Sequence, residues 1–297
     1  MAKQATSPRR KWVTPKTVPY IFILPAVLLF IVFTLYPVIS SLILSFQTSS
    51  GGVSSFAGLD NYRRLFNDPL FYRALSNTFI ILIIQVPIML TLAVILAVLM
   101  NSVLLKAKSF FRIAFFMPAI TALVAYAIVF RMILDQNYGF VNYFISFVGI
   151  DPVPWLNDPF WAKVALIAAV TWRWTGYNMV IFLAGLQNIS KDLYEAASID
   201  GAGKIRQFFS ITLPQLRPIF LFTFVLSTIG TLQLFDEPFI LTQGGPNNST
   251  LTISLYLYRA GFQNFDFNYA SAIAYVLVII IATLSWLQFK VAGDRDD

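Results

Sequence analysis

The sequence predicts an all-α integral membrane fold with six transmembrane helices, and three observations predict it. Hydrophobic residues make up 58% of the 297 and charged residues only 12%, well away from the roughly 45–50% apolar share of a soluble domain. Six separate runs are apolar enough and long enough, at about 20 residues each, to cross a hydrocarbon core about 30 Å thick. Lys and Arg gather in alternate connecting segments, the pattern expected when those segments face the cytoplasm.

Residues 1–18 carry Lys3, Arg9, Arg10, Lys11 and Lys16 and no acid, so they read as a basic cytoplasmic segment ahead of a six-span domain at 19–290. The apolar run from about 20 to 46 is too long for the core of an export signal, and no small-x-small cleavage site follows it. It reads as an uncleaved first span with the N-terminus inside, bent at Pro25 and Pro37. The polar stretch 47–75 predicts one or two short amphipathic helices on the outer surface. Span two runs from about 77 to 100, broken by Pro87, and Lys106, Lys108 and Arg112 mark an inner loop. Span three covers 113–134. An outer segment, 135–160, carries Pro152, Pro154 and Pro159, and span four follows at 162–186 with Arg173 near its middle. A polar stretch, 190–218, separates it from span five at 219–241. An outer loop then leads to span six at 269–289, and the tail 291–297 ends D-R-D-D.

Charge tests this topology. The segments 1–18, 101–112, 187–217 and 290–297 hold five, three, four and two Lys or Arg, whereas the outer segments and their edges hold only Arg63, Arg64, Arg73, Arg131, Lys163 and Arg259. Both termini and the 190–218 stretch are therefore expected in the cytoplasm. Cys and His are both absent, which closes disulfide and thiol chemistry, zinc sites built on those ligands and histidine acid–base catalysis. No catalytic residue and no bound metal or cofactor is expected in this chain.

The stretch 190–218 is a charged island in a hydrocarbon-rich chain. Ser190 is placed to cap a helix from Lys191, with Asp192 in its positive first turn. Leu193, Ala196 and Ala197 share a face at helical spacing, Gly201 and Gly203 permit a sharp turn, and a second segment with Phe208, Phe209, Ile211 and Leu213 runs to Pro214 and Pro218. The plain alternative is an amphipathic loop packed on the membrane. Gly201-Ala202-Gly203-Lys204 imitates the end of a phosphate-binding loop, but Ser198 stands where the first glycine belongs and Ile205 where Ser or Thr is required.

The spacing Glu195-Ala196-Ala197, three residues, Gly201, nine residues, Ile211, one residue, Leu213-Pro214 resembles the EAA motif of binding-protein-dependent ABC transporter permeases at every fixed position. Asp200, Ala202 and Phe208 fit the fuller form seen in sugar permeases. G-L-D-N-Y and A-L-S-N-T before span two, Leu183 to Gln187, and Leu241 to Pro246 with Thr250 resemble the carbohydrate-importing, MalF-like branch in the order expected of it. The resemblance implies a type I ABC importer permease fold and a heteromeric complex in a prokaryotic cell (inner) membrane. Glu195, Ala196, Ala197 and Gly201 would form the coupling helix, supported by Ile211, Leu213 and Pro214. The partners it implies are a second homologous permease subunit, two ATP-binding subunits that use ATP and Mg, and an extracytoplasmic sugar-binding protein. The large outer domain and two extra N-terminal spans of the best-known maltose permease have no counterpart here.

Arg173 near mid-span would cost at least about 2.5–3.5 kcal/mol if it faced lipid. It must face protein or water. Trp174, Tyr177 and Asn178 lie near it at helical spacing, and Gln233, Asp236 and Glu237 are expected on a face of span five, with Arg173 pairing with Asp236 or Glu237. Aromatic plates and hydrogen-bonding side chains suit a sugar, so these seven residues are the expected substrate path; mutual neutralisation and packing are the structural alternative. A permease for glycerol phosphate or a related polyol phosphate remains open. So does an ion-coupled secondary transporter using Arg173, Asp236 and Glu237 as a relay.

Overall fold

The computed structural model describes residues 17–50, 53–102 and 106–293. The basic segment 1–18 lies almost wholly outside them, as do residues 294–297 of the tail 291–297.

The first helix, α1 (Val18–Ser45), is apolar on all sides. Proline has no N–H to donate and its ring crowds the carbonyl four residues back. The chain accommodates Pro37 through a π-helical turn at Ile31–Leu35, immediately upstream, and stays helical past Pro25. A two-stranded antiparallel hairpin follows, β1 (Gln47–Ser50) with β2 (Val53–Phe56), in the register Gln47 opposite Phe56. The purely helical expectation missed this hairpin. A short helix, α2 (Asp60–Phe66), leads to α3 (Pro69–Asn101), whose start is capped by Asp68 accepting the Leu70 N–H at 2.9 Å. The expected break at Pro87 does not occur: α3 runs on for 33 residues, as membrane helices can where neighbouring groups satisfy the freed carbonyl.

Expected span three is two helices, α4 (Lys108–Ile120) and α5 (Leu123–Ile133), bent by 99° at Thr121 and Ala122. Pro118 removes a donor from the last turn of α4, and the Thr121 hydroxyl donates to the Met117 carbonyl there at 2.9 Å. After α6 (Phe140–Ser146) comes α7 (Pro159–Gln187), begun by Pro159 and capped by Asp158, which accepts the Phe160 and Trp161 N–H groups. Gly176 lets α4 rest directly on α7: a Cβ there would lie 1.7 Å from the Phe115 carbonyl oxygen.

The elbow is α8 (Lys191–Ile199) and α9 (Lys204–Gln215), and α9 meets α10 (Arg217–Leu232) at 65°. Expected span five therefore stops at Leu232. The chain opens at Leu234 and Phe235, and a π-helical turn at Pro238–Thr242 follows. The last helices are α11 (Ile253–Tyr258) and α12 (Phe267–Gly293).

Among the described residues three helices, α1, α3 and α12, are long and apolar enough to cross a membrane, and the bent pairs α4–α5 and α9–α10 raise the number to five. At 29 residues, or about 44 Å at 1.5 Å per residue, α7 has the length. Its middle, T-W-R-W-T-G-Y-N, dilutes the apolar run. The core is built where α3, α7, α10 and α12 pack: Val86, Leu90, Met179 and Leu183 at one level, Ile81, Leu166 and Val170 with Tyr126 of α5 at another, and Phe71, Leu232, Tyr256 and Tyr269 at a third.

Candidate functional site: a polar cavity and an exposed elbow

All seven residues expected along a path line one cavity of about 360 Å³. Arg173, Trp174, Tyr177 and Asn178 come from α7, where spacings of one, four and five residues hold them on one side of the helix. Gln233, Asp236 and Glu237 reach the same space differently from expectation. They do not share a helical face. Gln233 closes α10, the chain unwinds, and Asp236 and Glu237 begin the next turn. The opened backbone is satisfied by the Thr252 hydroxyl, which donates to the Leu234 carbonyl at 2.7 Å.

Inside the cavity Trp174 and Tyr177 meet edge to face at 5.8 Å and 88°. Asn178 is buried and donates to the Trp174 carbonyl at 3.1 Å. The expected ion pair is not formed. The two ion pairs among the described residues are Arg63–Asp60 and Arg64–Asp266. The Arg173 guanidinium instead lies over the rings of Tyr126 at 5.0 Å and Trp174 at 5.7 Å, and its Nε and Nη1 are buried with no hydrogen-bond partner. Stacking on aromatic faces satisfies the charge but not the donors. Glu237 is 4% exposed.

Sequence reasoning missed the opposite wall. Gln85 and Met89 of α3 and Thr231 of α10 line the same space, and Gln85 is held by the Thr231 hydroxyl donating to its Oε1 at 3.1 Å. A glutamine in the middle of an apolar span was the available signal, and the structure buries it.

The elbow is built as its residues direct. The Ser190 hydroxyl accepts the Asp192 N–H at 3.2 Å. At the other end of α8 the chain closes in a Schellman turn: the Ala202 N–H donates to the Ala197 carbonyl at 2.8 Å and the Gly201 N–H to Ser198 at 3.1 Å. That turn needs a left-handed residue, and Gly201 supplies it with φ +76°. Gln207 ties α9 back to α8, donating to the Ala202 carbonyl at 3.0 Å and the Ser198 hydroxyl at 2.9 Å, and the hydroxyls of Tyr194 and Thr212 are 2.9 Å apart. Gln207, Tyr194 and Thr212 were not singled out in the sequence.

Glu195, Ala196, Asp200, Gly201, Leu213 and Pro214 are exposed; Ala197, Ala202, Phe208 and Ile211 are half-buried. No residue of α8 is buried, and Ile199 and Ile205 stand 87% and 78% exposed. A well-fastened element that buries so little of itself is shaped to be covered by something else.

A third polar cluster lies near the first turns of α3 and α12. Asp68 accepts from the hydroxyl of Tyr269 at 2.6 Å and from that of Tyr256, while Arg64 pairs with Asp266 at 2.6 Å and lies over the Tyr269 ring. Partial burial opposes the Asp68 charge, but the donated hydrogen bonds outweigh it and hold the carboxyl below its ordinary range. Burial and the neighbouring Asp68 push Tyr256 up to about 12.

Membrane-length helices, a cavity among them partly lined by polar side chains and a bare elbow are the build of a membrane transport subunit. The chain belongs to the family described as binding-protein-dependent transport system inner membrane component, whose profile matches residues 50–291. It is similar to the lactose transport system permease protein LacF of Rhizobium radiobacter, 49% identical over 281 residues covering 93% of this chain and 94% of that one. The arabinooligosaccharides transport system permease protein AraP of Bacillus subtilis is 41% identical over 284 residues, with 94% and 89% covered. The trehalose/maltose transport system permease protein MalF of Thermococcus litoralis is 32% identical over 281 residues, with 94% of each covered. In fold, the chain matches a subunit of a bacterial ABC transporter that imports the acidic polysaccharide alginate, with a TM-score of 0.84 at 24% identity over 94% of this chain and 96% of that one.

Proposed function

We propose that this chain is a permease subunit of an ATP-driven ABC importer for a neutral sugar or oligosaccharide. It crosses the membrane six times, α7 joining the other five candidates as the fourth span in chain order, with both termini and the 190–218 elbow in the cytoplasm. A second, homologous permease completes the pathway. Two ATP-binding subunits, which use ATP and Mg, take the elbow formed by Glu195, Ala196, Ala197, Asp200, Gly201 and Ala202, with Phe208, Ile211, Leu213 and Pro214 behind it. An extracytoplasmic binding protein delivers the cargo. Closure of the ATPase pair draws the elbows together and opens the spans outward, and hydrolysis reverses the movement.

The cavity carries the cargo assignment. Its aromatic faces at Trp174 and Tyr177 suit the C–H faces of a sugar ring, and Asn178, Gln233 and the unpartnered Arg173 donors suit hydroxyls that must be paired once water is excluded. One cation beside two carboxylates gives no surplus of positive charge, which disfavours a phosphorylated polyol.

The test is uptake by the reconstituted transporter with Trp174, Tyr177, Asn178 and Gln233 replaced singly by alanine. Loss of a ring contact or hydrogen bond worth about 0.5–1.5 kcal/mol raises half-saturation roughly two- to tenfold. Unchanged half-saturation, rate and cargo-stimulated ATP hydrolysis in all four would remove the cavity from the path.

A further inference from the structure

Between α5 and α7 the chain carries no charged residue from Asn137 to Ile150, and Asp135 and Asp151 bracket the stretch. Within it α6 exposes Phe140, Tyr143 and Phe144, with Phe147, 71% exposed, just beyond its end and Tyr138, 94% exposed, just before its start. The rings touch one another, Phe140 with Phe144 at 4.5 Å and Tyr143 with Phe147 at 5.0 Å. They make one aromatic face. Asn142 points the other way and is buried. It donates to the Gln136 and Val153 carbonyls at 2.9 Å each, and its Oδ1 accepts the Val153 N–H at 3.1 Å and the Trp155 indole N–H at 2.9 Å.

The polarity is inverted from that of a helix on a water-facing surface: the amide is inside and the hydrocarbon outside. Contiguous exposed patches of this kind mark an interaction surface. The face is continuous with the apolar outside of α5, since Met132 and Ile133 border the same concavity as Tyr138, Phe140 and Tyr143. Met132 is itself strongly exposed on a helix of a bent membrane pair. Fourteen residues are too few to cross the hydrocarbon and are the length of an interfacial segment. Tyrosine, with an apolar ring and a polar hydroxyl, suits the membrane–water boundary.

We propose that the 137–150 segment is a lipid-binding element lying in the headgroup boundary of the bilayer, its aromatic face in the upper acyl chains and Asn142 fastening it to the loop above. The outer leaflet is its place under the topology proposed above. With no Lys or Arg in the segment, uncharged phospholipid is sufficient and anionic lipid adds nothing. The element fixes the C-terminal end of α5 and the approach to α7, the helix that carries Arg173 into the cavity.

The chain has no cysteine of its own, so single probes can be placed on it without removing others. In the assembled transporter, reconstituted in phosphatidylcholine nanodiscs, Phe144→Cys and Phe147→Cys would each carry an environment-sensitive fluorophore, with Asn247→Cys in the polar turn before α11 as the reference. The expected result is blue-shifted emission at 144 and 147, several-fold stronger quenching by nitroxide lipids spin-labelled near the headgroup than by those labelled at the chain end, and weaker quenching by aqueous iodide than at 247. Replacing part of the lipid with phosphatidylglycerol should change none of these. Iodide access equal to that at 247 would overturn the proposal. So would shielding from both iodide and nitroxide lipid, the signature of a covering protein subunit, and so would burial only in anionic lipid. Tyr143→Cys supplies a third position if either phenylalanine variant fails to accumulate. No cargo enters the measurement, so its failure is separable from failure of the sugar assignment, and a membrane-impermeant thiol reagent reports the leaflet.

Discussion

Gly201 offers a clean separation of coupling from folding. Its φ of +76° costs an L-residue about 1–2 kcal/mol, and a Cβ built there meets nothing within 4 Å. Gly201→Ala therefore carries a backbone penalty and no steric one. The hydrogen bonds from Gln207 and between Tyr194 and Thr212 oppose any loosening, each worth about 1 kcal/mol net. The penalty is of the same size, so the elbow shifts toward other geometries by about five- to thirtyfold while the distant core is untouched. In proteoliposomes, Gly201→Ala is expected to insert and melt like the parent but to lose most cargo-stimulated ATP hydrolysis and uptake together. Gly201→Asn should lose much less, because asparagine accepts the left-handed region more readily. Wild-type coupling in the alanine variant, or equal losses in the two variants, would refute an elbow whose geometry transmits the stroke.

Gly176→Ala should behave in the opposite way. Its Cβ would meet backbone of α4 at 1.7 Å, so the helices must separate, at a cost of about 1–3 kcal/mol, read as a lower melting temperature in detergent; an unchanged melt would show that this contact is loose. The Asp68 cluster predicts limits at both ends of the pH scale. The carboxyl's folded pKa is depressed, so its contribution is complete above the unfolded value of 3.8 and is lost as pH falls through the folded value. Tyr256 is raised, so its contribution is complete below 10 and is lost as pH rises toward about 12. Asp68→Asn should flatten both limbs of a stability–pH curve, and parallel curves for parent and variant would dismiss the cluster as a brace.

The elbow was legible because its signals are local. Ser190, Gly201 and the Glu195-Ala196-Ala197 spacing act through backbone geometry over a few residues. The cavity residues were legible too, since an arginine or an acidic pair in an apolar run must face something polar. Their arrangement was not. The pairing of Arg173 with Asp236 or Glu237 assumed a continuous helix, and the opening at Leu234 depends on Thr252, 18 residues away. Long-range partners also explain the other differences. Pro87 is carried through by a helix braced on α7, whereas the 99° bend after Pro118 is fixed where α5 packs against the Pro238–Thr242 turn. The hairpin at 47–56 lacks the alternation that would announce it, being rich in Ser and Gly.

The unbroken run of α7 also separates two kinds of change. Asn178 and Ser190 are 12 positions apart, about 18 Å if measured at helical rise. Under the proposed roles, a substitution at 173–178 alters what is carried without touching the surface that meets the motor, and a substitution at 195–201 does the reverse. Such a part is modular: a chimaera keeping residues 190–218 and exchanging the cavity wall would retain its ATPase while changing its cargo.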